Sequence, residues 1–140
     1  MDELEYIRTT VHDLYWSIDE NCARTTLRIL SHLFSFPLEV QTLDAAIGMH
    51  GAGGLGAQCG LVEGSLMLIG AYLAAKGMDR QEIVACCREY AELFSGRFGS
   101  LSCHDLRPGG FREDDQPHRC EGLTVEAIGF TFRFLKERAG

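Results

Sequence analysis

The chain has 140 residues, 46% of them hydrophobic and 24% charged, which suits one folded domain over 1–140 with a single core. Its formal net charge of −7 argues against a nucleic-acid binder, which needs a basic face, and against adhesion to an anionic membrane surface. The opening Met1-Asp2-Glu3-Leu4-Glu5 lacks the basic-then-apolar order of a secretory signal, and the uncharged apolar stretch between Glu63 and Lys76 is too short for a bilayer span of about 20 residues. A cytoplasmic location is therefore expected. In that reducing setting six cysteines point to metal binding or redox chemistry rather than to structural disulfides.

The apolar periodicity is helical nearly throughout, with no convincing strand alternation. Residues 3–17 read as a first helix around Leu4, Ile7, Val11, Leu14 and Tyr15. Asp19-Glu20-Asn21 then supplies polar residues suited to a helix start. The second helix runs from about Cys22 to Phe34, with Ala23, Leu27, Leu30 and Phe34 on one face and Arg24, Arg28, Ser31 and Ser35 opposite. Pro37 closes it, and a short helix opens at Thr42 or Leu43 and ends near Gly48.

A glycine-rich loop, Gly51-Ala52-Gly53-Gly54-Leu55-Gly56, leads into a helix from about Cys59 to Ala75 that is apolar nearly all round. Such a helix belongs at the centre of a fold. Asp79 and Glu82 have capping-box spacing and open a helix to about Phe98, striped by Ile83, Cys87, Ala91, Phe94 and Phe98. Ser102 and Asp105 repeat that spacing around Cys103. Residues 107–119 read as loop, and the last helix runs from about Cys120 to Arg138. It carries two apolar stripes, Val125, Ile128, Phe132 and Leu135 against Leu123, Ala127, Phe130 and Phe134. Two buried sides imply either a central position or a side given to a second copy, so a homodimer is one expectation. The expected fold is all-α, a compact bundle of about five to six helices around the central apolar one.

The six cysteines sort into two classes. Cys86 and Cys87 lie mid-helix, where a thiol acts as a small hydrophobe. Cys22, Cys59, Cys103 and Cys120 each fall at or near an expected helix N-terminus, where free N–H groups and the positive dipole end favour a thiolate. The thiolate is the form that binds metal or attacks a disulfide. No C-x-x-C pair occurs, so zinc-ribbon, thioredoxin and covalent-haem patterns are absent. Any four-sulfur site must be assembled by the fold.

Gly51, Gly53 and Gly56 match G-x-G-x-x-G, but no βαβ unit surrounds them, which disfavours a dinucleotide site. The loop is either a tight turn or a backbone cradle for an anionic cluster, with Gly53, Gly54, Gly56 and Gly60 as its candidate cofactor-binding positions. Gly60 and Gly64 allow another helix to approach closely. Glu63 reads as a paired or solvated carboxylate ahead of a proton-handling one. His50, His104 and His118 read as solvated loop residues, although His104 follows Cys103 and His118 lies two before Cys120. No H-E-x-x-H motif or nucleophile–base pair supports a hydrolase.

The run Asn21-Cys22-Ala23, the glycine loop, Cys59-Gly60 with Gly64, Cys103 after Phe98-Gly99-Ser100, and then Cys120 resembles the redox-active family named for its C…GCAxxG…C…C pattern. The resemblance spans Asn21 to the final helix. It implies that Cys22, Cys59, Cys103 and Cys120 form the site, and it extends to a domain of split-Soret cytochromes whose cysteines are linked with a 2Fe–2S-type cluster. Leu61 stands where the pattern has alanine, and no haem motif is present. The leading expectation is an electron-transfer or redox-sensing protein with a four-thiolate iron–sulfur cluster, served by a redox partner protein. The alternatives are a thiol–disulfide switch, a structural zinc site, and a helical interaction module with no site.

Overall fold

A computed structural model describes residues 2–107 and 118–139. Most of the loop expected over 107–119 therefore lies outside the described residues. Among the described residues eight helices follow one another: α1 (Glu3–Ile18), α2 (Cys22–Leu33), α3 (Val40–Ala45), α4 (Gly51–Gly54), α5 (Gly60–Ala75), α6 (Arg80–Phe98), α7 (Cys103–Leu106) and α8 (Glu121–Ala139). Five are long and three are short turns. No strand forms among the described residues, only an isolated antiparallel bridge between Gln58 and Ser102.

Local chemistry sets the helix ends. The Asp2 carboxylate accepts from the Glu5 N–H at 2.8 Å, and Asp19 closes α1 in the left-handed region. Asp79 caps α6 through the Gln81 N–H at 3.0 Å. The spacing of Ser102 and Asp105 marks the start of α7 correctly, but Ser102 makes no cap bond there. Its hydroxyl instead donates to the Gly56 carbonyl at 3.3 Å, while Ser100 donates to Asp105.

α5 is the central helix, packed against α2, α6 and α8, with Leu61, Val62, Leu68, Ile69 and Leu73 buried. This burial on several sides is why its sequence shows no polar face. Gly64 sets the approach of α2: a Cβ there would stand 2.7 Å from the Ala23 carbonyl oxygen. α1 contributes Ile7, Val11 and Tyr15 to the core. α6 contributes Tyr90 and Phe94, and its other stripe residues, Cys87 among them, are only half-buried.

Both stripes of α8 are used inside the chain. Ile128 and Leu135 are buried in the core, and Phe34 of α2 lies 5.3 Å from Phe132. On the other side Phe130 and Phe134 stack around Tyr90 at 5.8 and 5.2 Å. The double pattern is thus accounted for without a second copy. A polar knot sits within this packing: Thr131 Oγ1 donates to the Ala127 carbonyl at 3.0 Å and accepts from Tyr90 at 2.7 Å and Ser65 at 2.9 Å. Each buried hydroxyl there is satisfied.

Candidate four-cysteine site

Each of the four cysteines begins a helix. Cys22 is the first residue of α2, Cys59 is the N-cap of α5, Cys103 is the first residue of α7, and Cys120 immediately precedes α8. Three separate devices bring these helix starts to one end of the bundle.

The first device holds Cys22. Asn21 caps α2 by accepting from the Arg24 N–H at 2.8 Å, and its amide donates to the carbonyls of Ala46 and Ile47 at 3.2 and 2.9 Å. Those bonds tie the start of α2 to the end of α3. Glu20 receives Arg24 Nε at 2.9 Å and Arg28 Nε at 2.8 Å. Burial opposes ionisation of Glu20, but the two guanidinium groups and the Asn21 N–H outweigh it and hold the carboxyl below its usual range.

The second device joins Cys59 to Cys103. The glycine-rich segment and residues 101–104 run beside each other: Cys59 N–H donates to the Leu101 carbonyl at 2.8 Å, Cys103 N–H to Ala57 at 2.7 Å and His104 N–H to Gly56 at 3.2 Å. Gly51, with φ +72°, lies under Cys103, where a Cβ would come within 3.2 Å of that sulfur. Gly60 meets Cys22: a Cβ there would collide with the Cys22 sulfur and the Met49 carbonyl. The third device holds Cys120, whose carbonyl accepts from both the N–H and the hydroxyl of Thr124 at 2.8 Å. At the start of α8, Glu121 takes His12 at 3.0 Å and Trp16 at 2.7 Å from α1.

The four thiols sense one another. Burial pushes the Cys22 thiol up to about 12, and the charges of Cys59, Cys103 and Cys120 add to the shift. Burial raises Cys59 to about 11; N–H groups of Leu61 and Val62 oppose it, while the charges of Cys103 and Cys120 reinforce it. Cys120 is also raised by burial and by Cys103, with Arg107 working the other way. Burial raises Cys103 too, again against Arg107. The helix N-termini alone therefore do not hold thiolates. Desolvation and mutual repulsion outweigh the N–H groups, and ionising all four calls for a positive counter-charge between them.

Cys22, Cys103 and Cys120 line a cavity of about 720 Å³ together with Tyr15, His50, Arg107 and His118. Cys59 is buried and does not line it. His50 Nδ1 is buried at this cavity without a hydrogen-bond partner. His118 stacks on Tyr15, while His104 is exposed beside Asp105. Of the candidate glycines, Gly60 touches Cys22 and Gly54 lines the cavity. Gly56 serves through its carbonyl, and Gly53 is exposed in open space. Glu63 pairs with the Gln58 amide. Cys86 and Cys87 lie half-buried on α6. Among the described residues no three His, Cys, Asp or Glu side chains stand close enough, as placed, to hold a single metal ion.

Spacing marks Gly51 within G-x-G-x-x-G and Tyr15 on the apolar face of the first helix, but places neither beside the cysteines, and it does not single out Arg107.

The fold and site thus define a small all-helical protein with four helix-start cysteines gathered at one end. Residues 20–134 match the model of a family described as "Putative redox-active protein (C_GCAxxG_C_C)", and the chain belongs to that family. No curated protein and no solved structure matches the chain. No helix among the described residues is long and apolar enough to cross a membrane.

Proposed function

We propose that this protein carries an iron–sulfur cluster on Cys22, Cys59, Cys103 and Cys120 and uses it for electron transfer or redox sensing. The carrying observation is that Cys22, Cys103 and Cys120 line one cavity, while Cys59 is tied beside Cys103 by its N–H bond to the Leu101 carbonyl. A cationic metal core supplies the counter-charge that turns such thiols into thiolates. The donor set fits: all-sulfur ligation suits iron–sulfur chemistry, and helix-start N–H groups are suited to bonding the sulfurs. Gly51 and Gly60 leave the Cys103 and Cys22 sulfurs room that any side chain would take. When bound, such a cluster supplies one-electron exchange without making bonds to a substrate.

Thiols raised to about 11 and 12 are poor nucleophiles at neutral pH, which favours this reading over a thiol–disulfide switch.

The test is iron and acid-labile sulfide analysis of protein purified without oxygen. Wild type is expected to be coloured and to contain both. Serine at any of the four positions should deplete both, and Cys86→Ser should not. Stoichiometric zinc, or metal content indifferent to the four serines, would overturn the proposal.

A further inference from the structure

A chain of aromatic rings leads from the cysteine site to the surface. Tyr15 is buried, 4% exposed, and lines the same cavity as Cys22 and Cys120. Its hydroxyl meets Thr124 Oγ1 at 2.7 Å, and Thr124 spends its own proton on the Cys120 carbonyl at 2.8 Å. Tyr15 is therefore the donor, and its path to Cys120 is two hydrogen bonds long. The Tyr15 ring stacks on His118 with centroids 5.2 Å apart and planes 24° apart. His118 in turn meets Trp16 edge-on at 4.8 Å. Trp16 is 53% exposed.

Trp16 is the chain's single tryptophan. It is held in place: Glu121 accepts its indole N–H at 2.7 Å, and the same carboxylate takes His12 at 3.0 Å. The surroundings are acidic, with Asp13 one helical turn away and the Asp19 carboxylate almost fully exposed.

We infer that Tyr15, His118 and Trp16 form the route by which electrons pass between the four-cysteine site and a cationic, planar-ringed one-electron carrier that contacts Trp16. This rests on the redox reading above. Tyr15 bridges without becoming a radical stop, because its phenol donates to a threonine hydroxyl, which is no base for the proton that tyrosine oxidation would release. The rings shorten the gap across which the electron must move. Acidic side chains around Trp16 draw in a positive carrier.

The test uses methyl viologen in two forms, free and coupled to dextran. The free dye is small enough for the cavity, whereas the polymer is confined to the surface. In each encounter one viologen cation radical loses one electron and returns to the dication, while the oxidised site gains that electron. The site's absorbance is followed by stopped flow in wild type, Trp16→Leu and Trp16→Phe. Both variants lose the bond to Glu121, but only the leucine loses the ring.

The polymer-bound dye is expected to reduce Trp16→Leu about tenfold more slowly than wild type. Trp16→Phe should keep most of the rate, and the free dye should reduce all three alike. In the metal-free protein, polymer-bound viologen dication is expected to quench the Trp16 emission. Equal polymer rates in all three proteins, or an unquenched Trp16, would overturn the route while leaving the redox reading intact. Wild type that accepts electrons from neither form would overturn both.

Discussion

Three glycines on α5 make a stringent test of the packing that positions the site. Gly64 and Gly70 both lie inside the helix, where alanine is favoured over glycine by about 1 kcal/mol. At Gly70 nothing stands within 4 Å of an added Cβ, so Gly70→Ala should stabilise the fold by about that amount. At Gly64 the added Cβ would lie 2.7 Å from the Ala23 carbonyl, 3.2 Å from Ala23 Cα and 3.1 Å from Thr26 Cβ. Two of those atoms are backbone and cannot swing aside. Overpacking of this kind costs roughly 3 kcal/mol, at the upper end of its usual range. After the helix gain, Gly64→Ala should lose about 2 kcal/mol.

The two variants should thus differ by about 3 kcal/mol, or roughly 10 °C in Tm for a chain of this size. Gly60→Ala collides with the Cys22 sulfur as well as with the Met49 carbonyl, so it should lose stability and disturb the site together. Urea titration followed by circular dichroism reads all three. Gly64→Ala as stable as Gly70→Ala would refute the claim that α2 lies on a small-residue face of α5.

Asn21→Ala removes a helix cap and two bonds to α3, and should cost about 1–2 kcal/mol by urea titration while loosening the hold on Cys22. Thr131→Val removes the shared partner of the buried Tyr90 and Ser65 hydroxyls, leaving them only each other, and should cost about 1 kcal/mol, with metal content unchanged. In the metal-free protein Cys22 and Cys59 ionise at about 12 and 11, above the roughly 8.5 of an unfolded thiol. Their contribution is full below pH 8.5 or so and is lost as pH rises toward those higher values, so the urea midpoint should fall between pH 8 and 10, as about 8.5 marks the unfolded thiol. Glu20 has the opposite sign. Its lowered carboxyl stabilises the fold above about pH 4.3, and that stability should disappear as acid protonates it, an acid dependence that Glu20→Gln should flatten.

The long helices were legible because their information is local. Periodicity and caps such as Asn21 and Asp79 announce them, and the placement of the four cysteines at helix starts follows from the same signals. The contacts that join those starts are long-range and leave no mark in spacing. Gly51 under Cys103, Gly60 against Cys22, and His118 against Trp16 each join segments far apart in the chain. Tyr90 fell outside the apolar stripe read for α6, yet it is fully buried, because Thr131 of α8 meets its hydroxyl. The raised thiol pKa values are hidden from the sequence for a related reason: the helix-start N–H groups are local, whereas desolvation and the neighbouring sulfurs come only with the assembled fold.

X-ray absorption at the metal edge of oxygen-free protein bears most directly on the idea of one shared centre. Iron surrounded by sulfur alone, with a second iron in the next shell, is the expected spectrum. An isolated metal without a metal neighbour, or one ringed by oxygen and nitrogen, would contradict it.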